Sequence, residues 1–133
     1  MGKAFRAHDG VRLRCIIIDT SSIIFGFSRG FDVFNAAEES LPGYTMVVSN
    51  GVLRELDSIG RSKRKSAKYA IVGRREAKKR CSVDEDNDEV DSWILFKAGK
   101  SGCTVCTNDM ELKRKLKENG AQVVSMGANG ELR

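Results

Sequence analysis

Four carboxylates stand where a charge is costly. Asp19 ends the apolar run Ile16-Ile17-Ile18. Glu55 falls on or at the edge of a helical stripe made by Val52, Leu56 and Ile59. Asp91 precedes Ile94, Leu95 and Ala98 by three, four and seven residues, which places it at the head of a buried face. Asp109 follows the strand-like run Cys103-Thr104-Val105-Cys106-Thr107. Acids brought into one pocket repel each other, and some stay protonated unless a cation joins them. Oxygen-only ligands select hard cations, Mg²⁺ or Mn²⁺, as one ion or two. Such an ion beside a cationic surface suits phosphodiester chemistry: it orients a phosphate, stabilises charge on its oxygens and lowers the pKa of an attacking water.

Positioning these four acids is the task of the rest of the chain. Residues 14–19 read as a buried strand of a parallel sheet, and ligands bind at the carboxyl ends of such strands. Ser21 or Ser22 is expected to cap a short helix, and residues 32–39 form a second. Pro42-Gly43 marks a turn, and residues 45–48 a second strand. Ser49-Asn50 opens a helix that carries Glu55 and stops at Gly60. Residues 61–80 hold ten Lys or Arg against the single acid Glu76, with Ala67, Ala70, Ile71 and Ala77 as a thin apolar seam for one or two helices. The sign inverts over 84–91, where the acids read as capping and solvation of a helix over 90–98 that Gly99 ends. A strand over 103–107 leads into a helix with Leu112 and Leu116, Asp109 lying on its buried side. Asn119-Gly120 caps that helix, 122–126 is a last strand, and 127–133 is a tail.

A chain of 133 residues, 41% hydrophobic and 31% charged, is one soluble globular domain. The expected division is a basic arm over 1–13, a domain over 14–126 and the tail. No apolar run is long enough for a membrane span, and the N-terminus lacks the apolar core of a secretory signal. A cytoplasmic protein is expected, nucleolar if eukaryotic. Cys103 and Cys106 have a zinc-like spacing, but residues three apart on a strand point to opposite faces, and His8 is the single histidine. The four cysteines therefore read as reduced, mostly buried thiols. The acidic run lacks the glycine and closing Glu of a calcium loop, and Gly99-Lys100-Ser101 lacks the first glycine of a P-loop. The net charge of +5 points to an anionic partner. Because the cations of 61–80 are not interleaved with acids, Arg61, Lys63, Arg64, Lys65, Lys68, Arg74 and Arg75 read as a phosphate-binding surface.

With these motifs in order, the sequence resembles the PIN-domain nucleases. Asp19-Thr20-Ser21 is similar to the family's opening motif, and Val52-Leu53-Arg54-Glu55-Leu56 to its second. Asp91 with Ile94 and Ala98 is similar to the third, and Thr107-Asn108-Asp109 with Leu112 to the fourth. Phe31-Asp32-Val33-Phe34 and the 108–116 segment draw it nearest to the small archaeal and eukaryotic members of ribosomal RNA processing. The resemblance implies an α/β fold with a central, mostly parallel sheet flanked by helices. It also implies hydrolysis of single-stranded RNA, in ribosomal RNA processing or as a VapC-like toxin, on pre-rRNA or the small ribosomal subunit. A homodimer is compatible with it. Asp19, Asp91 and Asp109 would bind the metal directly or through water, and Glu55 would hold it or deprotonate water. Thr20, Ser21 and Thr107 would brace the carboxylates, and Asn108 would touch substrate or metal-bound water. Where relatives often have a second adjacent Asp, this chain has Ser92, with Glu89 the nearest substitute. The alternative is a PIN-like RNA-binding module of ribosome assembly with weak or no hydrolysis.

Overall fold

The computed structural model describes residues 14–87 and 89–133. The expected arm over 1–13 lies outside the described residues. Five strands form one sheet: β1 (Cys15–Ile18), β2 (Thr45–Ser49), β3 (Ser82–Asp84), β4 (Thr104–Cys106) and β5 (Val123–Val124). Six helices connect them: α1 (Thr20–Ser28), α2 (Val33–Ser40), α3 (Asn50–Gly60), α4 (Ala67–Arg80), α5 (Val90–Ser101) and α6 (Met110–Glu118). The strand order is β3-β2-β1-β4-β5 and every pairing is parallel. All carboxyl ends therefore reach the same edge of the sheet. The chain turns from one side of β1 to the other between β3 and β4, so the β1–β4 seam is the topological switch point where ligands settle in open α/β sheets.

The Ile16-Ile17-Ile18 run is buried on both faces because helices cover both. Ile16 and Ile18 pack with Ile23, Phe34, Val48, Val52, Leu56 and Ala70 under α1 to α4. Ile17 packs with Val47, Val105, Ile94, Leu112 and Leu116 under α5 and α6. This alternation is the period-two pleat of a strand that has no solvent face. Among the described residues no helix is long and apolar enough to cross a membrane.

Several expectations need correction. Asp19, not Ser21 or Ser22, is the N-cap residue of α1. Gly99 sits inside α5, which runs on to Gly102; that glycine takes the left-handed conformation (φ 71°) that closes a helix without a Cβ penalty. Residues 61–66 are turns, and α4 begins only at Ala67. Its buried seam is Ala70, Gly73 and Ala77, whereas Ile71 is exposed. Gly73 belongs there because a Cβ would stand 2.3 Å from Ile23 Cγ2, so its absence sets how closely α4 approaches α1. Strand β3 has no apolar alternation to announce it; it pairs at the edge, Val48 against Val83. The expected tail folds back: Ser125 and Arg133 exchange backbone hydrogen bonds, and Leu132 packs on the core. The thiols are not all reduced. Cys15 and Cys103 form a disulfide, while Cys81 and Cys106 are free. The pairing of Ile16 with Thr104 puts the two preceding residues side by side, with Cα atoms 4.8 Å apart.

Candidate active site

Asp19 leaves the end of β1 and is buried. It occupies the N-cap position of α1, yet its side chain makes no capping bond. Its Oδ2 instead accepts hydrogen bonds from Ser21 Oγ and Thr107 Oγ1, both at 2.9 Å. Thr107 Oγ1 also accepts from the Asp109 backbone N–H at 3.1 Å, and Ser21 Oγ from the Asn108 N–H at 2.9 Å. The loop after β4 is thus fastened to the start of α1 through two hydroxyls that also fix the Asp19 carboxylate. Burial holds this carboxyl above the usual carboxylate range, against the lowering effect of the Thr107 and Ser21 hydrogen bonds.

Glu55 projects from α3, whose first turn is capped by Ser49 Oγ accepting from the Val52 N–H at 3.1 Å. Thr20 Oγ1 donates to Glu55 Oε1, tying the second acid to the first turn of α1. Burial raises the Glu55 carboxyl; the Thr20 bond opposes this, and the charges of Asp19, Asp91 and Asp86 add to it. Asp91 is exposed at the start of α5, not buried as its spacing suggests. Partial desolvation and the Asp109 charge raise its carboxyl, while Lys115 pulls it down. Asp109 is also exposed, and it caps α6: its Oδ1 accepts from the N–H groups of Glu111 and Leu112 at 2.9 and 3.1 Å. Both bonds fall on one oxygen, and Oδ2 accepts no hydrogen bond among the described residues.

These four acids, distant in sequence, line a single hollow of about 580 Å³. Thr20, Ser21 and Asn108, the apolar Phe25 and Ile59, and Arg64 line it as well. The carboxyls of Asp19, Glu55 and Asp91 are raised chiefly by burial, with the charges of neighbouring acids adding a smaller part. Among the described residues, no three such side chains form a ready-made metal-binding set. All-oxygen donors spread around an open hollow suit an ion that keeps part of its water shell, as Mg²⁺ does.

The other expected residues divide. Thr20, Ser21 and Thr107 touch the carboxylates. The Asn108 amide is engaged within the fold: Oδ1 accepts from Ser22 Oγ at 2.8 Å and the Met126 N–H at 3.0 Å, and Nδ2 donates to the Met126 carbonyl at 2.9 Å. Of the basic set, only Arg64 lines the acidic hollow. Arg61 pairs with Asp57 at 3.1 Å, Lys68 lies over the Tyr69 ring, and Lys63, Lys65 and Arg75 are exposed. Arg74 lies in a separate hollow between α3 and α4. Ser92 donates to Glu89 Oε1 at 2.9 Å at the mouth of the site.

Residue-by-residue reading missed three contributors. Buried Ser22 holds Asn108, and its signal was its place in the run of hydroxyls after Asp19. Asp86, read as solvated, is buried; it accepts from the Gly51 N–H at 3.0 Å and from Arg54 at 3.2 Å. A Cβ on Gly51 would stand 2.0 Å from Asp86 Oδ2, so glycine is what lets this carboxylate reach the start of α3. Lys115, one of several cations late in α6, faces Asp91.

A family profile described as "PIN like domain" matches residues 16–128. Ribonuclease VapC9 of Archaeoglobus fulgidus is 31% identical over 113 residues, which is 84% of this chain and 82% of that protein. Among solved structures, the PIN domain endonuclease Utp24 superposes with a TM-score of 0.74 at 24% identity, over 89% of this chain and 88% of that one. A domain of a functionally unknown protein from Methanocaldococcus jannaschii superposes with a TM-score of 0.63 at 17% identity, over 86% and 91%. At these identities the two structural likenesses speak to the fold.

Proposed function

The chain belongs to the PIN-like domain family, and from that premise we propose that it is a divalent-metal-dependent endoribonuclease acting on single-stranded RNA. The observation that carries this reading is the meeting of Asp19, Glu55, Asp91 and Asp109 in one hollow. Asp19, Asp91 and Asp109 would hold Mg²⁺ or Mn²⁺, in part through water. The bound ion would neutralise charge on the scissile phosphate and lower the pKa of the attacking water.

The chain's own groups supply the rest. Ser21 and Thr107 fix the direction of the Asp19 carboxylate, and Thr20 fixes that of Glu55. Glu55, raised above its ordinary value, is suited to accept a proton from the water. The water oxygen bonds to phosphorus as the bond to the ribose 3′-oxygen breaks, and that oxygen takes a proton from solvent. The products are a 5′-phosphate and a 3′-hydroxyl. Arg64, which lines the hollow, would meet the backbone of the strand. Ribosomal RNA maturation and a VapC-like toxin activity both fit this chemistry, and a small antitoxin gene beside this one would mark the toxin.

The test is incubation of the purified protein with labelled single-stranded RNA, with Mn²⁺ or with chelator, beside Asp19→Asn and Asp109→Asn. Cleavage is expected with metal alone, reduced at least about 100-fold in both folded variants. Binding without cleavage in the parent would instead support the non-hydrolytic assembly module.

A further inference from the structure

Helix α3 turns neighbouring faces toward three hollows. Glu55 and Ile59 face the acidic one. Gly51, Arg54, Glu55 and Ser58 face a second, which Lys115 lines from the other side. Leu53, Arg54 and Asp57 face a third, of about 450 Å³, between α3 and α4. The first two share Glu55 and Asp91, and the last two share Arg54. The three hollows therefore follow one another along α3, with the four acids lining the first and Arg74 and Lys78 lining the last.

The basic end has a distinctive set of groups. Arg74 and Lys78 stand one turn apart on α4, so both line the same face, above Val83 of β3. On α4, Lys79 pairs with Glu76 and Arg80 with Asp32, Glu38 and Glu76, while Lys68 and Arg75 are unpaired among the described residues but do not line this hollow. Arg74 and Lys78 have no ion-pair partner among the described residues. Asp57, the acid lining this hollow, is engaged by Arg61. Arg74 Nε is buried and has no hydrogen-bond acceptor among the described residues. Orphaned buried donors are rare in folded proteins, and each one asks for an explanation. Arg54 is steered here by the buried Asp86 carboxylate. Arg74 and Lys78, with the Asp86-paired Arg54 beside them, offer N–H donors that match a phosphodiester oxygen.

We propose that this third hollow is a subsite for a backbone phosphate of the RNA, a few nucleotides from the one that is cut. The strand runs from the acidic hollow past Arg54 and Lys115, and Arg74 and Lys78 grip the distal phosphate. This deepens the ribonuclease reading and rests on it. The succession of hollows along α3 favours a strand over a free phosphate ion, which would need one hollow alone.

Binding by the full chain in chelator isolates the subsite from catalysis. Fluorescein-labelled oligouridylates of about 4 and about 12 nucleotides are titrated by anisotropy at several salt concentrations. The parent should bind the longer RNA at least about tenfold more tightly. In Arg74→Gln/Lys78→Gln that advantage should largely vanish, and the slope of log K against log salt should shrink by about 0.7 for one single-strand phosphate. Arg74→Lys should keep most of the advantage by retaining the charge. Lys78→Gln alone, at an exposed position, should lose part of it with an unchanged thermal melt. A folded double variant that keeps the parent's length advantage overturns the subsite. A parent that cleaves RNA yet binds both lengths equally overturns the subsite alone. A parent that binds neither length overturns the subsite, and the ribonuclease reading falls with it only where RNA stays uncut after Mn²⁺ is added.

Discussion

Replacing Asp19 by Asn should make the protein more stable while removing its activity. The Asn side chain keeps an oxygen where Oδ2 now accepts from Ser21 and Thr107 at 2.9 Å, so the bracing of the β4–α6 loop survives. What disappears is a negative charge, buried and facing a second acid, Asp91. Removing such functional strain is worth about 1–2 kcal/mol, the usual gain at destabilised functional sites. Each kcal/mol moves Tm by about 4 °C in a chain of this size, so a rise of ~4–8 °C is expected near neutral pH. The sign of the pH dependence follows from linkage. The folded carboxyl titrates above its unfolded value, so folding disfavours its charged form. The penalty is full above the folded value, shrinks as pH falls through it, and is gone below the unfolded value of about 4. Thermal melts of parent and variant, in chelator from neutral to acid pH, should therefore differ most at neutral pH and converge on acidification. Taking the difference cancels what the two proteins have in common. A variant less stable than the parent at neutral pH, or a difference flat with pH, would refute Asp19 as a desolvated charge awaiting a cation.

Other outcomes follow from the same geometry. Mn²⁺ at about 100 times its Kd should raise the parent's stability by about 2.7 kcal/mol in melts and the Asp19→Asn protein far less; equal shifts would disconnect the acids from metal. Thr107→Val removes the donor to Asp19 and the acceptor for the Asp109 N–H, so RNA cleavage should fall about 10–100-fold in a protein that still melts cooperatively. Gly51→Ala drives a methyl toward Asp86 Oδ2 and Val90 Cγ2 and should cost about 1–3 kcal/mol in denaturant unfolding. Thiol titration of the unfolded, unreduced chain should count the two free cysteines, Cys81 and Cys106; a count of four would contradict the Cys15–Cys103 bond.

Asp19 and Glu55 stood out in the sequence because each broke a local rule. Three β-branched residues announced β1, and a carboxylate directly after them had no structural excuse; Glu55 likewise stood beside an apolar stripe. The cap Ser49 was legible too, since capping is decided within one turn of chain. What stayed hidden depended on neighbours remote in sequence. Asp86 looks like any member of an acidic run until α3 brings the Gly51 N–H and Arg54 against it. Asp91 and Asp109 had the spacing of buried residues, yet they are exposed to a shared hollow, because sheet order sets which helix start faces which. The basic segment read as one surface, but the turn before α4 sends Arg64 to the acids and the helix itself carries Arg74 to another hollow. The Cys15–Cys103 bond arises from the β1–β4 register, across a separation of 88 residues. Local pattern determined the elements and marked the costly charges. Only the tertiary structure decided which of them meet, because burial and electrostatic coupling belong to the space between elements.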